Sequence, residues 1–362
     1  MKDSFLIRGE GGAFYRLSNA QGKEWLMPVR DMRTAMCLYQ PSGRKGKLLK
    51  SLFPLVHRIP LVRRIAGARS ECCRLSDSLN GLLSRLFGET EFGFSVFYGT
   101  PCVHQKITVQ ISRGDRILGY LKLSDSGRIA DLFQHEAGIL AELRRSGMEN
   151  IPECLYCGKL DDGVHIFVQS TVKSLRSRTM HDWLPAHEKF LDELYRRTRS
   201  TVPFESSDYC RTLSEFRERA EELSGVPGIF EAADAIDGII SAMKGKEVDF
   251  CACHGDFTPW NMFSENGNLF VFDWEYSRLS CPPVLDRYHF FTQTAIFGRG
   301  MTAREITDYL QTADAGWIDR DSYMMYIVDV IARFVLRDGD SLREDTAAQV
   351  RIWAEILKFL RK

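Results

Sequence analysis

Alternating apolar and polar positions predict a small antiparallel sheet in the first half of the chain. Between residues 105 and 112 the apolar side chains occupy every second position, and an Arg-Gly-Asp turn then leads into another run of strand-forming residues. Five segments share this pattern: 95–100, 105–112, 117–123, 153–159 and 164–172. Residues 128–145 instead repeat apolar side chains at helical spacing. We therefore expect five strands, with one helix inserted after the third.

The second half of the chain is mostly helical in its period, apart from two strand-like runs at 248–253 and 269–274. A small antiparallel sheet followed by a helical half is the layout of a two-lobed, α+β, protein kinase-like fold. We divide the chain on this basis into three segments. They are an N-terminal extension, a sheet-containing lobe and a helical lobe, at residues 1–90, 91–172 and 173–362.

A polar loop follows the first of the strand-like runs in the helical half. It reads His-Gly-Asp-Phe-Thr-Pro-Trp-Asn and places Asp256 five positions before Asn261. This is the spacing of a kinase catalytic loop. Phosphoryl transfer needs a carboxylate that orients the attacking hydroxyl and accepts its proton, together with oxygen ligands that hold Mg²⁺ on the phosphates. Asp256 suits the first task and Asn261 the second.

A second carboxylate, Asp273, follows the next strand-like run. The Asn266-Gly267 pair between the two segments is a strong hairpin signal. A two-residue turn there places Asn261 opposite residue 272, and so beside Asp273. Two oxygen-bearing side chains then converge, as Mg²⁺ requires. The spacing predicts a magnesium site formed by Asn261 and Asp273.

The loop and the following strand together resemble the aminoglycoside phosphotransferase and choline kinase superfamily. The resemblance implies that Asp256 is the catalytic base, that Asn261 and Asp273 bind magnesium, and that Asp286 has a structural role. Trp260 stands where that family often has glycine, so the resemblance does not define the shape of the acceptor side. The alternative is a His-Gly-Asp tripeptide that occurs by chance in a surface turn.

The helix at 128–145 supplies an independent indication. Glu136 lies in the middle of its apolar stripe, so burial of its carboxylate requires a cationic partner. Lys122, on the preceding strand, is the expected partner. Kinases use such a pair to hold the α- and β-phosphates of ATP, and both residues match positions of the resembled family. The alternative is a lysine that reaches solvent and a solvated glutamate.

No Gly-rich phosphate loop of the protein kinase type occurs in the sequence, and residues 98–101 form the one plausible phosphate-facing turn. By analogy of fold, adenine is expected against the segment after the fifth strand, from about Gln169 to Thr171. The sequence leaves the choice between ATP and GTP open.

Residues 44–69 are both basic and apolar. Nine basic residues and no acidic one lie between Asp31 and Glu71. This composition suits an anionic membrane surface, where the acceptor would be lipid-linked. The alternative is a pair of helices whose apolar residues pack on the protein beneath a solvated basic rim, and Pro54 and Pro60 favour it because proline interrupts helices.

The composition argues against nucleic-acid binding and indicates a cellular compartment. Lys plus Arg and Asp plus Glu both total 48, so the chain has no overall charge suited to nucleic acid. Ten scattered cysteines and the lack of a long apolar run indicate a cytoplasmic protein with free thiols, or one peripheral to the inner face of the membrane.

The sequence thus predicts a phosphotransferase that uses ATP and Mg²⁺ to phosphorylate an alcohol group of a non-protein acceptor. A sugar or cell-envelope glycan, an aminoglycoside and a choline-like alcohol are the candidate acceptors. A protein acceptor is disfavoured because Asp273-Trp274-Glu275 lacks the residues that begin a protein kinase activation segment. Two alternatives are an inactive nucleotide-binding scaffold and a membrane- or polyanion-binding protein acting through residues 44–69. The oligomeric state is left open.

Overall fold

A computed structural model describes residues 4–20, 22–41, 43–100, 105–223, 225–226, 228–338 and 342–362. The chain forms two compact units. The first comprises Met1–Arg145, Glu149–Arg178 and Ser264–Phe270, and the second comprises Ser146–Met148, Thr179–Phe263 and Val271–Lys362. Within the described ranges, no helix has the length and apolar content needed to cross a membrane.

The first unit is built on an antiparallel sheet of eight strands. In chain order these are β1 Leu6–Ser18, β2 Glu24–Pro28, β3 Arg69–Leu75, β4 Gly93–Phe97, β5 Ile107–Arg113, β6 Arg116–Ser124, β7 Cys154–Lys159 and β8 His165–Ser170. Their order across the sheet is β3-β1-β2-β4-β5-β6-β8-β7. The five predicted strands are all present, as β4 to β8.

The number of strands was predicted wrongly, because the N-terminal segment contributes three more to the same sheet. Strand β1 pairs along most of its length with β3, whose partner residues lie about 60 positions away, as in Leu6 with Leu75. The register of this pair shifts between Arg8 and Gly12. Most of the first half of β1 is exposed, so its sequence lacks the alternation that signals a half-buried strand.

The described residues of the first unit form five helices, α1 Met32–Ala35, α2 Arg44–Val56, α3 Pro60–Ile65, α4 Asp77–Phe87 and α5 Gly127–Arg145. Two apolar clusters form its core. One joins β1 and the central strands to α4 through Phe14, Leu26 and Leu83. The other joins Trp25 and Met27 of β2 to α1 and α2.

The second unit is mostly helical, as predicted. Its helices are α6 Pro185–Thr198, α7 Asp208–Arg219, α8 Ile229–Met243, α9 Leu285–Gln293, α10 Ala303–Tyr309, α11 Arg320–Asp338 and α12 Glu344–Leu360. Strands β9 Ser200–Pro203, β10 Glu247–Cys253 and β13 Arg278–Cys281 form a small sheet in the order β13-β10-β9. One large apolar core unites these elements, and Tyr326, Ile331 and Trp353 are fully buried in it.

The predicted hairpin is present as β11 Met262–Glu265 and β12 Asn268–Val271. Asn266 and Gly267 form its two-residue turn, with φ values of 51° and 81°. Positive φ at both central residues is the geometry that favours Asn-Gly in such turns. The local sequence therefore determines this hairpin.

Candidate active site

Asp286 holds the loop that follows β10 through hydrogen bonds to the backbone of the loop. One carboxylate oxygen of Asp286 accepts the backbone N–H of His254 at 2.7 Å, and the other accepts that of Gly255 at 3.0 Å. Asp286 lies in the first turn of α9 and is almost completely buried. Its carboxylate thus supplies the hydrogen bonds that the end of the strand would otherwise lack, which agrees with the structural role that the family resemblance implied.

Gly255 is required at the bend of this loop. Its φ is 79°, a left-handed conformation that side chains rarely adopt. A Cβ atom at this position would lie 2.4 Å from the carbonyl oxygen of Tyr276. Since that atom belongs to the backbone, it cannot move aside cheaply. The bend therefore redirects the chain just after the buried strand β10 and immediately before Asp256.

Two side chains hold the carboxylate of Asp256. Asn261 donates from Nδ2 to Asp256 Oδ2 at 2.8 Å and to the Asp256 carbonyl oxygen at 2.9 Å. On the other side, His289 Nε2 lies 3.1 Å from Asp256 Oδ1. The Asp256 side chain is still 29% exposed. It is therefore fixed in one orientation and open to a bound molecule.

The charge state of Asp256 follows from these contacts. Burial by itself raises the pKa of this carboxyl group, but the hydrogen bond from His289 and the electrostatic interaction with that residue leave the pKa below its ordinary value. Asp256 is therefore ionised at neutral pH. An ionised carboxylate can accept a hydrogen bond, and then a proton, from a hydroxyl group.

Two buried histidines support the loop in defined tautomers. His254 Nδ1 accepts the N–H of Asp256 at 3.2 Å, so its Nε2 carries the proton and donates to the Phe272 carbonyl oxygen at 3.0 Å. Burial lowers the pKa of His254, which keeps it neutral. His289 is also buried, and its Nδ1 lies 3.3 Å from the hydroxyl of Tyr326. Since an ionised carboxylate can only accept a hydrogen bond, Nε2 of His289 carries a proton and donates a hydrogen bond to Asp256.

The register predicted for the hairpin is confirmed. The N–H of Phe272 donates to the carbonyl oxygen of Asn261 at 2.9 Å, so the two chain segments pair where the Asn-Gly turn requires. Asp273 is the next residue and has a φ of 70°. This left-handed region is uncommon for residues other than glycine, although aspartate and asparagine adopt it more readily than most.

Asn261 and Asp273 offer oxygen atoms of the kind that Mg²⁺ binds. The Nδ2 atom of Asn261 is used by Asp256, which directs the amide oxygen away from that carboxylate. Asp273 adds a partly buried carboxylate on the paired segment. Hard oxygen donors of this kind, completed by water and phosphate, are what Mg²⁺ binds.

A buried ionic cluster beneath the loop was not predicted from sequence. Asp329 on α11 accepts from Arg278 at 3.0 Å and from Arg333 at 2.8 Å. Arg333 also donates to the carbonyl oxygen of Gly255 at 2.8 Å. Burial opposes ionisation of Asp329, but the two arginines hold the pKa of its carboxyl group below the ordinary value. The cluster fixes the bend of the loop to the helical core.

Two exposed aromatic side chains, Trp260 and Phe297, contact each other. Trp260 lies next to Asn261 in the chain, and Phe297 follows α9, the helix that carries His289. Their rings meet edge to face with centroids 6.3 Å apart. Trp260 stood out in the sequence, but Phe297 did not, because an isolated phenylalanine in a helical segment is typical of a core residue.

In the first unit, Lys122 and Glu136 form the predicted ion pair. Lys122 Nζ on β6 lies 2.6 Å from Glu136 Oε2 on α5. The Glu136 side chain is fully buried and that of Lys122 nearly so. Lys122 Nζ also lies 5.5 Å from the centroid of the Phe167 ring, on the neighbouring strand β8. The pair is therefore held firmly by the sheet and the helix.

The segment expected to contact adenine begins inside the sheet. Gln169 is paired with Tyr120 of β6 and with Cys154 of β7, and the N–H of the next residue, Ser170, donates to Glu153. Thr171 is the first residue beyond β8 and is partly buried, and its hydroxyl accepts the N–H of Lys173 at 3.1 Å. Thr171 and the residue after it are thus better placed than Gln169 to offer backbone groups to a ligand.

The turn expected to face phosphates is described only up to Thr100, because Pro101 lies outside the described residues. The phenol of Tyr98 lies 3.3 Å from an Arg16 nitrogen, and the Arg16 guanidinium lies over its ring. Gly99 follows with a positive φ. The N-terminal strand β1 therefore supports this turn, which the sequence did not indicate.

Comparisons with known proteins identify the family and the fold of the chain. The model of a family described as "Phosphotransferase enzyme family" matches residues 120–326, more than half of the chain. Protein LicA of Haemophilus influenzae is 27% identical over 117 residues, which cover 30% of this chain and 43% of LicA. The match thus spans less than half the length of that relative.

Solved structures share the fold. A thermostable mutant of aminoglycoside phosphotransferase APH(4)-Ia, in a ternary complex with ADP and hygromycin B, aligns with 78% of this chain and 98% of its own. Its sequence identity is 17% and its TM-score 0.51. A putative fructosamine-3-kinase from Haemophilus somnus aligns with 77% of this chain and 97% of its own, at 11% identity and the same TM-score of 0.51. Together with the family match, these likenesses confirm the predicted kinase-like fold class.

Proposed function

Because this chain belongs to the phosphotransferase enzyme family, we propose that it transfers the γ-phosphate of ATP to a hydroxyl group of a non-protein acceptor. One observation carries the proposal. The Asp256 carboxylate is ionised, partly exposed and held in one orientation by Asn261 and His289. That is the arrangement a nucleophile-orienting carboxylate needs.

In the proposed reaction, Asp256 accepts a hydrogen bond from the acceptor hydroxyl. The hydroxyl oxygen forms a bond to the γ-phosphorus as the bond from that phosphorus to the bridging oxygen breaks, and ADP leaves. The hydroxyl proton passes to Asp256 and then to solvent. Since phosphoryl transfer requires little covalent chemistry from the protein, the main contribution of Asp256 is to position the hydroxyl group.

The remaining residues would bind the nucleotide and the metal. Asn261 and Asp273 would hold Mg²⁺, which when bound neutralises charge on the phosphates. Lys122, oriented by Glu136 at 2.6 Å, would bind the α- and β-phosphates. Backbone groups at Thr171, beyond the end of β8 where Gln169 lies, would receive the adenine ring.

The acceptor is proposed to present an apolar face next to its hydroxyl group. Trp260 and Phe297 are both exposed and contact each other beside the elements that hold Asp256. Aromatic rings bind the faces of sugar rings and also bind quaternary ammonium groups. A sugar, a glycan of the cell envelope, an aminoglycoside and a choline-like alcohol all meet this requirement. Such a reaction, which consumes ATP, belongs in the cytoplasm.

The test is a screen for transfer from γ-labelled ATP to choline, aminoglycosides and purified cell-envelope sugars. Wild type is compared with Asp256→Asn, and each reaction is run with and without Mg²⁺. We expect one acceptor class to be labelled by wild type in a magnesium-dependent way and hardly at all by the variant. Nucleotide binding without transfer to any acceptor or to water would instead indicate an inactive nucleotide-binding scaffold.

A further inference from the structure

Helices α2 and α3 carry a concentration of exposed apolar side chains. Thirteen large apolar residues are exposed in the described part of the chain, and six of them lie between residues 48 and 65. These six are Leu48, Leu52, Leu55, Ile59, Leu61 and Ile65, with exposed fractions from 48% to 79%. Scattered single residues of this kind are ordinary, but a cluster marks an interaction site. We call residues 45–65 the α2–α3 surface.

The exposed residues share one face of α2. Leu48, Leu52 and Leu55 are spaced at i, i+4 and i+7, so they project in nearly the same direction. Phe53 lies on the opposite side and is buried in the apolar cluster formed with β1 and β2. The helix is thus fixed to the protein by one face and presents its leucines outward.

The sequence left open the alternative that the apolar residues of this segment pack on the protein. That alternative is correct for Phe53 and wrong for the six exposed residues. Helix α2 continues past Pro54 to Val56, so this proline does not break the helix. Proline removes one backbone hydrogen bond and crowds the preceding turn, but α2 is anchored on the protein through Leu49 and Phe53. Pro60 does separate the two helices, as the first residue of α3.

The charges on this surface have one sign. No acidic residue lies between Asp31 and Glu71. Lys45, Lys47, Arg58 and Arg64 are exposed. Among the described residues, none of these four forms an ion pair with a carboxylate, whereas several exposed arginines elsewhere do, such as Arg217 with Asp237.

We propose that the α2–α3 surface binds the anionic lipid surface of a membrane. Basic side chains would lie among the lipid phosphates, and the leucines would enter the boundary between headgroups and acyl chains. A second copy of this chain fits less well, because its matching surface carries the same positive charge. A soluble polyanion would bind the basic residues and leave the leucines in water. The proposal stands apart from the phosphotransferase activity, since it rests on this surface alone.

The experiment is co-sedimentation of the full chain with vesicles of phosphatidylcholine, with and without phosphatidylglycerol. An apolar variant carries Leu48→Gln, Leu52→Gln and Leu55→Gln, and a charge variant carries Arg58→Gln and Arg64→Gln. All five positions are exposed, so both variants should fold. Thermal denaturation of each variant checks this.

Matched controls change equally exposed residues of the second unit. Phe230→Gln is the control for the leucines, and the pair Lys244→Gln and Lys246→Gln is the control for the charges. Both controls should bind vesicles as wild type does. If they lose binding equally, the attraction is a property of the whole surface and the proposal is wrong.

Wild type should bind the anionic vesicles more tightly than the neutral ones, and added salt should weaken binding. Each removed charge should lower the partition coefficient about fivefold, so the charge variant falls about 25-fold. The apolar variant should fall by at least about tenfold.

Three results would overturn the proposal. One is no binding to anionic vesicles even at low salt. Another is an apolar variant that binds like wild type while the charge variant does not, which indicates a polyanion site without insertion. The third is dimerisation that depends on the leucines, without vesicle binding, which assigns the surface to a second copy of the chain.

Discussion

His289 Nε2 lies 3.1 Å from Asp256 Oδ1, so a histidine 33 residues further along the chain binds the carboxylate that the sequence singles out. His289 is buried, and Tyr326 contacts its other ring nitrogen at 3.3 Å. A chain of three side chains thus leads from the helical core to the proposed nucleophile-orienting group. The same contact helps to keep the pKa of Asp256 low, which links its position to its charge.

Replacing Asp256 by asparagine should lower kcat by on the order of 10²-fold or more, because proton acceptance and orientation of the hydroxyl are both lost. ATP binding, measured by calorimetry, should change little. Asp131→Asn, at an exposed position on α5, is the control and should retain full activity. Turnover of Asp256→Asn close to that of wild type would refute the assignment.

Removing the imidazole with His289→Leu should raise the pKa of Asp256, because the hydrogen bond and the electrostatic interaction that lower this pKa are lost. Activity that needs the ionised carboxylate is lost as pH falls through this pKa. The acidic limb of the kcat profile should therefore move to higher pH. His289→Gln, which can still donate a hydrogen bond, should move the acidic limb less than His289→Leu does. An unchanged acidic limb in His289→Leu would show that the histidine does not act on Asp256.

Lys122→Met should lower both the stability of the protein and its affinity for ATP. The variant leaves the fully buried Glu136 carboxylate without its lysine, which should lower the free energy of unfolding by about 3–5 kcal/mol. The double variant Lys122→Met with Glu136→Leu should regain much of that stability in urea denaturation. Because neither variant has the lysine, both should have a raised KM for ATP. Recovery of ATP affinity together with stability would mean that the pair is only structural.

The variant Asp273→Asn distinguishes the proposed role of Asp273, binding Mg²⁺, from the proposed role of Lys122, binding the phosphates. Asparagine tolerates the left-handed backbone at φ 70°, so the variant should fold, but it loses the charge that attracts Mg²⁺. Its activity should require more Mg²⁺ than wild type, whereas that of Lys122→Met should require more ATP. Identical responses of the two variants to Mg²⁺ and ATP would refute this division of roles.

The buried Asp329 cluster should make stability depend on pH. Its carboxyl pKa is lower in the folded protein than the ordinary value of about 4. The stabilisation is therefore present above that value and is lost as pH falls through the folded-state pKa. Asp329→Asn should lower the free energy of unfolding at pH 7 by about 3–5 kcal/mol.

Urea denaturation of Asp329→Asn at neutral and acidic pH checks the prediction, because the deficit should shrink on acidification. Asp192→Asn, at an exposed position on α6, is the control and should match wild type at both pH values. An equal deficit at every pH would assign the loss to packing and not to the ionised carboxylate.

The sequence by itself determined the features that depend on neighbours along the chain. The spacing of Asp256 and Asn261, the Asn266-Gly267 turn and the five strands β4 to β8 all follow from local geometry, and the structure has each of them. The Lys122 and Glu136 pair followed from one further rule. A carboxylate within an apolar helical stripe has to meet a cation, and the preceding strand offered one.

Only the tertiary structure decided which distant residues complete the site and the sheet. His289 and Arg333 reach the loop from α9 and α11, where their sequence neighbours give no sign of a partner. Strand β1 joins the sheet through β3, about 60 residues away. The physical reason is that hydrogen bonds and ion pairs depend on distance in space, and residues far apart in sequence come together only when the apolar core closes.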